Sequence, residues 1–425
     1  MKEDIRETRL ENGIVVLTDK MSGVRSATLG FFYRVGSRNE PDELNGITHF
    51  IEHCVFKGTN KRSAMDIAVE QDRLGGTLDA FTTHEETGFV IKVIDDQVSA
   101  AFDLLSDMLT DPKFDDADCV NEQRVIIEEM KMNEDSPEDL LSDIFHREFF
   151  PHHQLGLDIT GTPETVRTFD HRRTIDFHRS AFTPENLVIA AAGNIDHDNL
   201  VNKVRSSDFS WPDVADRQRK GELQAPNIAA PIFVKNREDL EQAHVIVATP
   251  MVSASDPRRY AADLLSNIIG GGTSSRLWQK IREERGLAYS VGASTAMYND
   301  TGFFTVSAGT SPDQVEEVLD IVIDEMREIV RKGVTQAELD LMKEQTRANV
   351  LLGLEDSASR AGSLAQCEMV HGRQIPVEES LANLAAVTVD DIQQLAAECF
   401  QTDKIAFVAL GDLDGLTITR ERLAI

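Results

Sequence analysis

Cysteine is scarce: Cys54, Cys119, Cys367 and Cys399 are the only four in 425 residues, and no two are close in sequence. That spacing excludes a zinc ribbon or a Cys-x-x-Cys redox motif and fits reduced core thiols in a reducing compartment. Positive charge is also short, with 43 Lys and Arg against 73 Asp and Glu, a formal net charge of −30. Such a balance excludes non-specific nucleic-acid binding, which needs excess cations. It implies a well-solvated acidic surface, with some attraction for basic ligands. No apolar run approaches the roughly 20 residues of a membrane span. The opening, MKEDIRETRLENG, has no apolar secretory core and is acidic where a mitochondrial transit peptide is basic. A cytoplasmic protein with no membrane and no nucleic-acid partner is expected. Hydrophobic residues at 41% and charged residues at 27% are otherwise the balance of a globular protein, long enough for two or three domains.

GIVVLTD and SATLGFFYRVG read as strands, and GGTLDAFTTHEETGFVIKVI as a bent strand pair opened by glycine. QVSAAFDLLSDMLTD has helical spacing. The segment from Asp116 to Phe150 reads as two helices broken near Pro137, which fits the first turn of the second. NLVIAAAGNID is a buried strand ended by Gly-Asn. Residues 206–231 are polar, aperiodic and rich in proline, the best linker.

Beyond that linker the order of elements returns. KGTNKR at Lys57 is echoed by GGTSSR at Gly271, TGFV at Thr87 by TGFF at Thr301, NEDS at Asn133 by LEDS at Leu354, and VIAAAGNID at Val188 by AFVALGDLD at Ala406, with offsets of 214, 214, 221 and 218. Four echoes in order imply a duplicated α+β domain: 1–208, a linker at 209–231, and 232–425. IIGGGTSSRL in the second copy lacks the P-loop pattern and reads as a turn before a helix.

The first copy holds GITHFIEHCVFKGT, with His49, Glu52 and His53 within five residues. On a helix, positions 49 and 53 lie ~40° apart on one face, with 52 beside them. Two imidazoles one turn apart can bind one zinc through nitrogen, and Glu52 is placed to take a proton from its water. The motif alone leaves open a solvated His/Glu/His helix face. The second copy has Asp263, Ser266 and Asn267 at these positions, so the fold does not need the histidines. A catalytic zinc needs a third protein ligand. NEQRVIIEEM offers Glu122 and Glu129, seven apart on one helix face, with Glu128 on another. Cys54 reads as a core thiol and His84 as a non-ligand.

HFIEHCVFKGT, the linker position and SSRLWQKIREERGLAYSVGA together resemble the pitrilysin-type inverzincin metallopeptidases, in particular the two-domain subfamily related to the β subunit of mitochondrial processing peptidase. The resemblance covers nearly the whole chain. It implies a third zinc ligand 76 residues after the second histidine, Glu129, with Glu122 supporting the ligands from behind. It implies one Zn2+ per chain, Glu52 as general base in peptide hydrolysis, and Arg282 and Tyr289 as substrate contacts. It also implies two α/β-sandwich-like domains forming half of a clamshell around a chamber, completed by a second chain. A homodimer is expected, with Arg282 and Tyr289 acting in trans, and a heterodimer with a metal-less homologue stays open. A peptide or unfolded polypeptide would add as a strand beside Leu78, Asp79, Ala80, Phe81, Thr82 and Thr83. Relatives often have Asn where this chain has Asp79, which leaves that residue's role open and favours a basic or amino-donating substrate. The alternatives are a processing peptidase removing basic presequences and a non-catalytic partner subunit.

Overall fold

The computed structural model describes residues 3–207, 209 and 225–425. Within them the chain forms two compact units. One comprises the described residues within 1–131, 157–223 and 350–375; the other comprises those within 132–156, 224–349 and 376–425. The linker expected at 209–231 falls largely, at 210–224, outside the described residues.

The first unit is built on six strands: β1 (Ile5–Arg9), β2 (Val15–Lys20), β3 (Ser26–Tyr33), β4 (Thr77–Thr82), β5 (Thr87–Ile94) and β6 (Leu187–Gly193). Their order is β1-β2-β6-β3-β5-β4, antiparallel except between β2 and β6. β6 is buried along its whole length, which is why its sequence is an unbroken apolar run. On one face it packs into a core with α1 (Ile47–Cys54), α3 (Val98–Thr110) and part of α4 (Asp116–Asp135), with α2 (Ala64–Leu74) at the margin. Leu364 and Ala365, from the helix Ser357–His371, close its other face. That helix is tied down by charge as well. Glu368 is fully buried and accepts both guanidinium nitrogens of Arg9 at 2.9 and 2.7 Å and one from Arg34 at 3.0 Å. β1 carries IRETR, too polar to be read as a strand from sequence, and survives as a charged edge strand beside β2.

The second unit has five strands: β7 (Ile232–Asn236), β8 (Ala243–Met251), β9 (Ala288–Met297), β10 (Gly302–Thr310) and β11 (Ala406–Gly411). Their order is β7-β11-β8-β10-β9, with only β7 and β11 parallel. This is β2-β6-β3-β5-β4 again, pair for pair, so the repeat in the sequence is a repeat of topology. One face packs on the helices Arg259–Gly270, Val315–Lys332 and Val389–Cys399. The other is covered by Leu141, Ile144, Phe145 and Phe149 of α5 (Pro137–Phe149), with Pro137 in the first turn.

The compact units do not follow the contiguous spans of the repeat. α5 follows NEDS in the first half of the chain but belongs to the second unit, and its counterpart Ser357–His371 follows LEDS but belongs to the first. The exchange is reciprocal. No described helix is long and apolar enough to cross a membrane.

Candidate metal centre

α1 turns Ile47, Phe50, Ile51 and Cys54 into the core, which leaves Glu52 and His53 half-buried and His49 buried at its edge. Its first turn is held by a residue of the preceding loop. Glu40 is buried, and its carboxylate accepts from the backbone N–H groups of Gly46 and Thr48, each at 2.7 Å, and from Asn45 Nδ2 at 3.3 Å. An acidic group here suits both the unsatisfied amides and the helix dipole. Gly46 makes the turn possible: its φ is 94°, and an added Cβ would lie 2.6 Å from the Thr160 carbonyl oxygen. Burial pushes the Glu40 carboxyl up to about 7, against the pull of those donors.

α4 places the third donor. Cys119, Glu122, Ile126 and Met130 make its buried stripe, with Glu129 at the stripe's margin. One donor atom from each of His49, His53 and Glu129 comes within 4.8 Å of the others. His49 Nε2 is 3.7 Å from Glu129 Oε1, and His53 Nε2 is 3.6 Å from Glu129 Oε2. A tetrahedral ion about 2.0–2.2 Å from each donor would hold them roughly 3.3–3.6 Å apart. The donor set and its spacing therefore fit zinc with little adjustment.

The electrostatics fit as well. Burial, and then His53, push the His49 imidazole down to about 3, so its ring is neutral and can offer a lone pair. Burial also works against a charged His53. There Glu122 first, then Glu129 and Glu52, outweigh it and raise its proton affinity. Glu122 is buried, with Oε2 3.2 Å from His53 Nδ1 and Oε1 2.7 Å from Lys57 Nζ. A proton on Nδ1 facing that carboxylate leaves Nε2 free to act as ligand. Burial alone would raise the Glu122 carboxyl, but His53 and Lys57 hold it below its ordinary range. Glu52 stands beside the triad, and Thr82 Oγ1 donates to its Oε2 at 2.6 Å. Burial raises its proton affinity against that hydrogen bond.

Leu78, Asp79, Ala80, Phe81 and Thr82 lie on β4, at the end of the six-stranded sheet and paired only with β5 among the described residues. Thr83 lies in the following turn. Its N–H donates to the Glu86 carbonyl at 2.8 Å, and its carbonyl accepts from Ser37 at 3.1 Å. His84 is buried with Nδ1 2.9 Å from Ser37 Oγ and is not among the converging donors.

A family profile described as Insulinase (Peptidase family M16) matches residues 15–163, and one described as Peptidase M16 inactive domain matches 168–346. An uncharacterized zinc protease of Streptomyces coelicolor is 39% identical over 402 residues, 93% of this chain and 87% of that protein. The chain belongs to peptidase family M16. Another relative of this M16 chain, the uncharacterized zinc protease YmxG of Bacillus subtilis, is 33% identical over 403 residues, 94% of this chain and 96% of that protein. The fold also matches the crystal structure of a protease from Helicobacter pylori with a TM-score of 0.89, at 21% identity, over 97% of this chain and 100% of that one.

In this M16 chain the converging donors all lie in the 15–163 segment. In the 168–346 segment two of the three corresponding side chains serve their own helix, Ser266 Oγ and Asn267 Nδ2 both donating to the Asp263 carbonyl at 3.0 and 2.8 Å, while the Asp263 carboxylate accepts from Thr295 Oγ1 at 3.0 Å. The second unit carries the Arg/Tyr pair. Arg282 lies in a π-helical turn, Trp278–Glu283, with its guanidinium carbon 4.1 Å from the Trp278 ring centre and 4.5 Å from that of Tyr289. Its Nη1 donates to the Tyr289 carbonyl at 2.8 Å, and Tyr289 is 78% exposed. Sequence reasoning missed Glu40 and Lys57. Lys57 had a signal, since it lies one turn beyond His53. Glu40 had none, because it reaches α1 through a loop.

Proposed function

We propose that this chain is a zinc metalloendopeptidase that hydrolyses peptides or unfolded segments. The observation that supports it most is the convergence of His49, His53 and Glu129 from two helices, with a half-buried carboxylate, Glu52, beside them. His49 Nε2, His53 Nε2 and Glu129 would hold one zinc ion. When bound, zinc supplies Lewis acidity and makes water a competent nucleophile near neutral pH.

The chain's own residues move the proton and place the substrate. Glu52 accepts a proton from the attacking water and returns it to the leaving amine. Its burial suits this exchange, because a carboxylate short of solvation takes a proton more readily. The Thr82 hydroxyl fixes Oε2 and leaves Oε1 to the reaction. An extended peptide would pair with the free edge of β4, through main-chain bonds that ignore side-chain identity. Arg282 and Tyr289 are proposed to contact substrate from a partner chain, the assembly being a cytoplasmic homodimer around a chamber.

The test is Glu52→Gln. The variant is expected to bind one zinc per chain like the wild type while cleavage of a quenched peptide falls at least 100-fold. Wild-type protein that binds no zinc and cleaves nothing would refute the proposal and favour a non-catalytic subunit.

A further inference from the structure

The Arg/Tyr pair of the second unit stands on a third side chain. Trp278 is half-buried and packs against the core of that unit. The Arg282 guanidinium lies over its ring at 4.1 Å and over the exposed Tyr289 ring at 4.5 Å. The π-helical turn makes this contact. The Glu284 N–H reaches back five residues to the Gln279 carbonyl at 2.9 Å, and the wider turn brings both residues 282 and 283 to Trp278. The indole Nε1 donates to Glu283 Oε1 at 3.0 Å, which fixes the ring under Arg282. The turn is pinned from behind, since Ile281 is fully buried and Lys280 donates to Glu325, a buried carboxylate of the helix Val315–Lys332. Of the five N–H groups of Arg282, the described residues accept from one, at Nη1, through the Tyr289 carbonyl at 2.8 Å. Its Nε is 4.0 Å from Glu283 Oε1, beyond hydrogen-bond reach. A planar fork with donors unspent, stacked on aromatic faces, suits the carbonyl oxygens of an extended chain.

Resting on the peptidase reading above, we propose that Trp278 is a positioning residue, which holds Arg282 in the orientation where its unspent N–H groups meet the main chain of a peptide substrate. A partly exposed arginine loses rotamer freedom when it binds, and a ring already fixed beneath it removes part of that loss before substrate arrives. Contacts to an unreacting main chain are made alike in the ground and transition states. The contribution of Trp278 therefore falls on KM and leaves kcat alone.

The experiment compares Trp278→Phe, which keeps a ring face, with Trp278→Leu, which keeps apolar bulk without one. Each is made alone and together with Arg282→Ala. Two readouts are taken: KM and kcat of the zinc-loaded protein on a quenched peptide, and fluorescence anisotropy of a labelled peptide on the metal-free protein. Trp278→Leu should raise KM and weaken peptide binding by roughly two- to thirtyfold, the range of a cation–π contact, with kcat within about twofold of wild type. Trp278→Phe should recover most of that loss. In the Arg282→Ala background Trp278→Leu should add no further loss, because the two side chains act as one unit. Equal losses in the Phe and Leu variants overturn the assignment, and so does a Trp278→Leu loss that persists undiminished beside Arg282→Ala. Full activity in Trp278→Leu overturns it while the peptidase reading stands. Coupled loss of binding in a protein that cleaves nothing supports Trp278 as positioner while refuting the peptidase reading, and a protein that neither binds nor cleaves peptide overturns both.

Discussion

Replacing Glu122 by Gln should weaken zinc binding without removing any atom that would touch the ion. The carboxylate is buried, 3.2 Å from His53 Nδ1 and 2.7 Å from Lys57 Nζ. The amide can still accept from Nδ1–H, so the ring need not turn. The negative charge is lost, however, and Lys57 is left as an uncompensated cation beside a site built for a dication. Supporting carboxylates of this kind contribute about 10- to 100-fold in metal affinity, or ~1.4–2.7 kcal/mol. Lys57 should place Glu122→Gln towards the upper end of that range. Adding Lys57→Met to the Glu122→Gln variant should recover part of the loss, because it removes the repulsion. The assay is competition with a chromogenic chelator, with stoichiometry checked by mass spectrometry of the native protein. A zinc dissociation constant within twofold of wild type would refute the claim that the His53–Glu122–Lys57 chain tunes this centre. So would a double variant no tighter than the single one.

Glu368→Gln should cost about 3 kcal/mol in urea unfolding, because it leaves Arg34, itself mostly buried, without its carboxylate partner. Arg9, half exposed, should account for the smaller share of that loss. Glu40 gives a pH signature. Its folded-state value of about 7 lies above the ordinary 4.5, so its contribution is fully present below about pH 4.5 and is lost as pH rises through 7. Glu40→Gln should cost about 1 kcal/mol at pH 5 through one lost amide contact. By pH 8 the gap from wild type should close and reverse in favour of Glu40→Gln, because ionising a carboxyl raised from 4.5 to about 7 costs the wild type about 3 kcal/mol, measured as the difference in urea midpoint.

Much of the centre was legible because its geometry is local. Residues 49, 52 and 53 share a helix turn, and 122 and 129 share a helix face, so periodicity alone groups each set. What joins the sets is the packing of α1 on α4, which no spacing encodes. Glu40 was silent because it acts from a loop, and Lys57, although one turn beyond His53, was passed over because it acts only through Glu122. The topology was legible as a repeat, since the echoes fall on turns and strand ends that both copies need. The helix exchange was not. The apolar stripe of α5 suits either sheet equally well, and only tertiary packing decides which sheet it covers. β1 was missed because an edge strand can be polar on both sides.

That exchange means the chain cannot be divided at the boundary its own duplication suggests. A fragment of residues 1–208 would leave Val15, Leu17, Phe32, Val188 and Ala190 without Leu364 and Ala365, baring an oily surface to water. A fragment of 232–425 would lose Phe145 and Phe149 from Ile246, Phe303 and Val408 in the same way. Each half carries the lid of the other, so the duplicated gene product is bound to be made, and to mature, as one polypeptide.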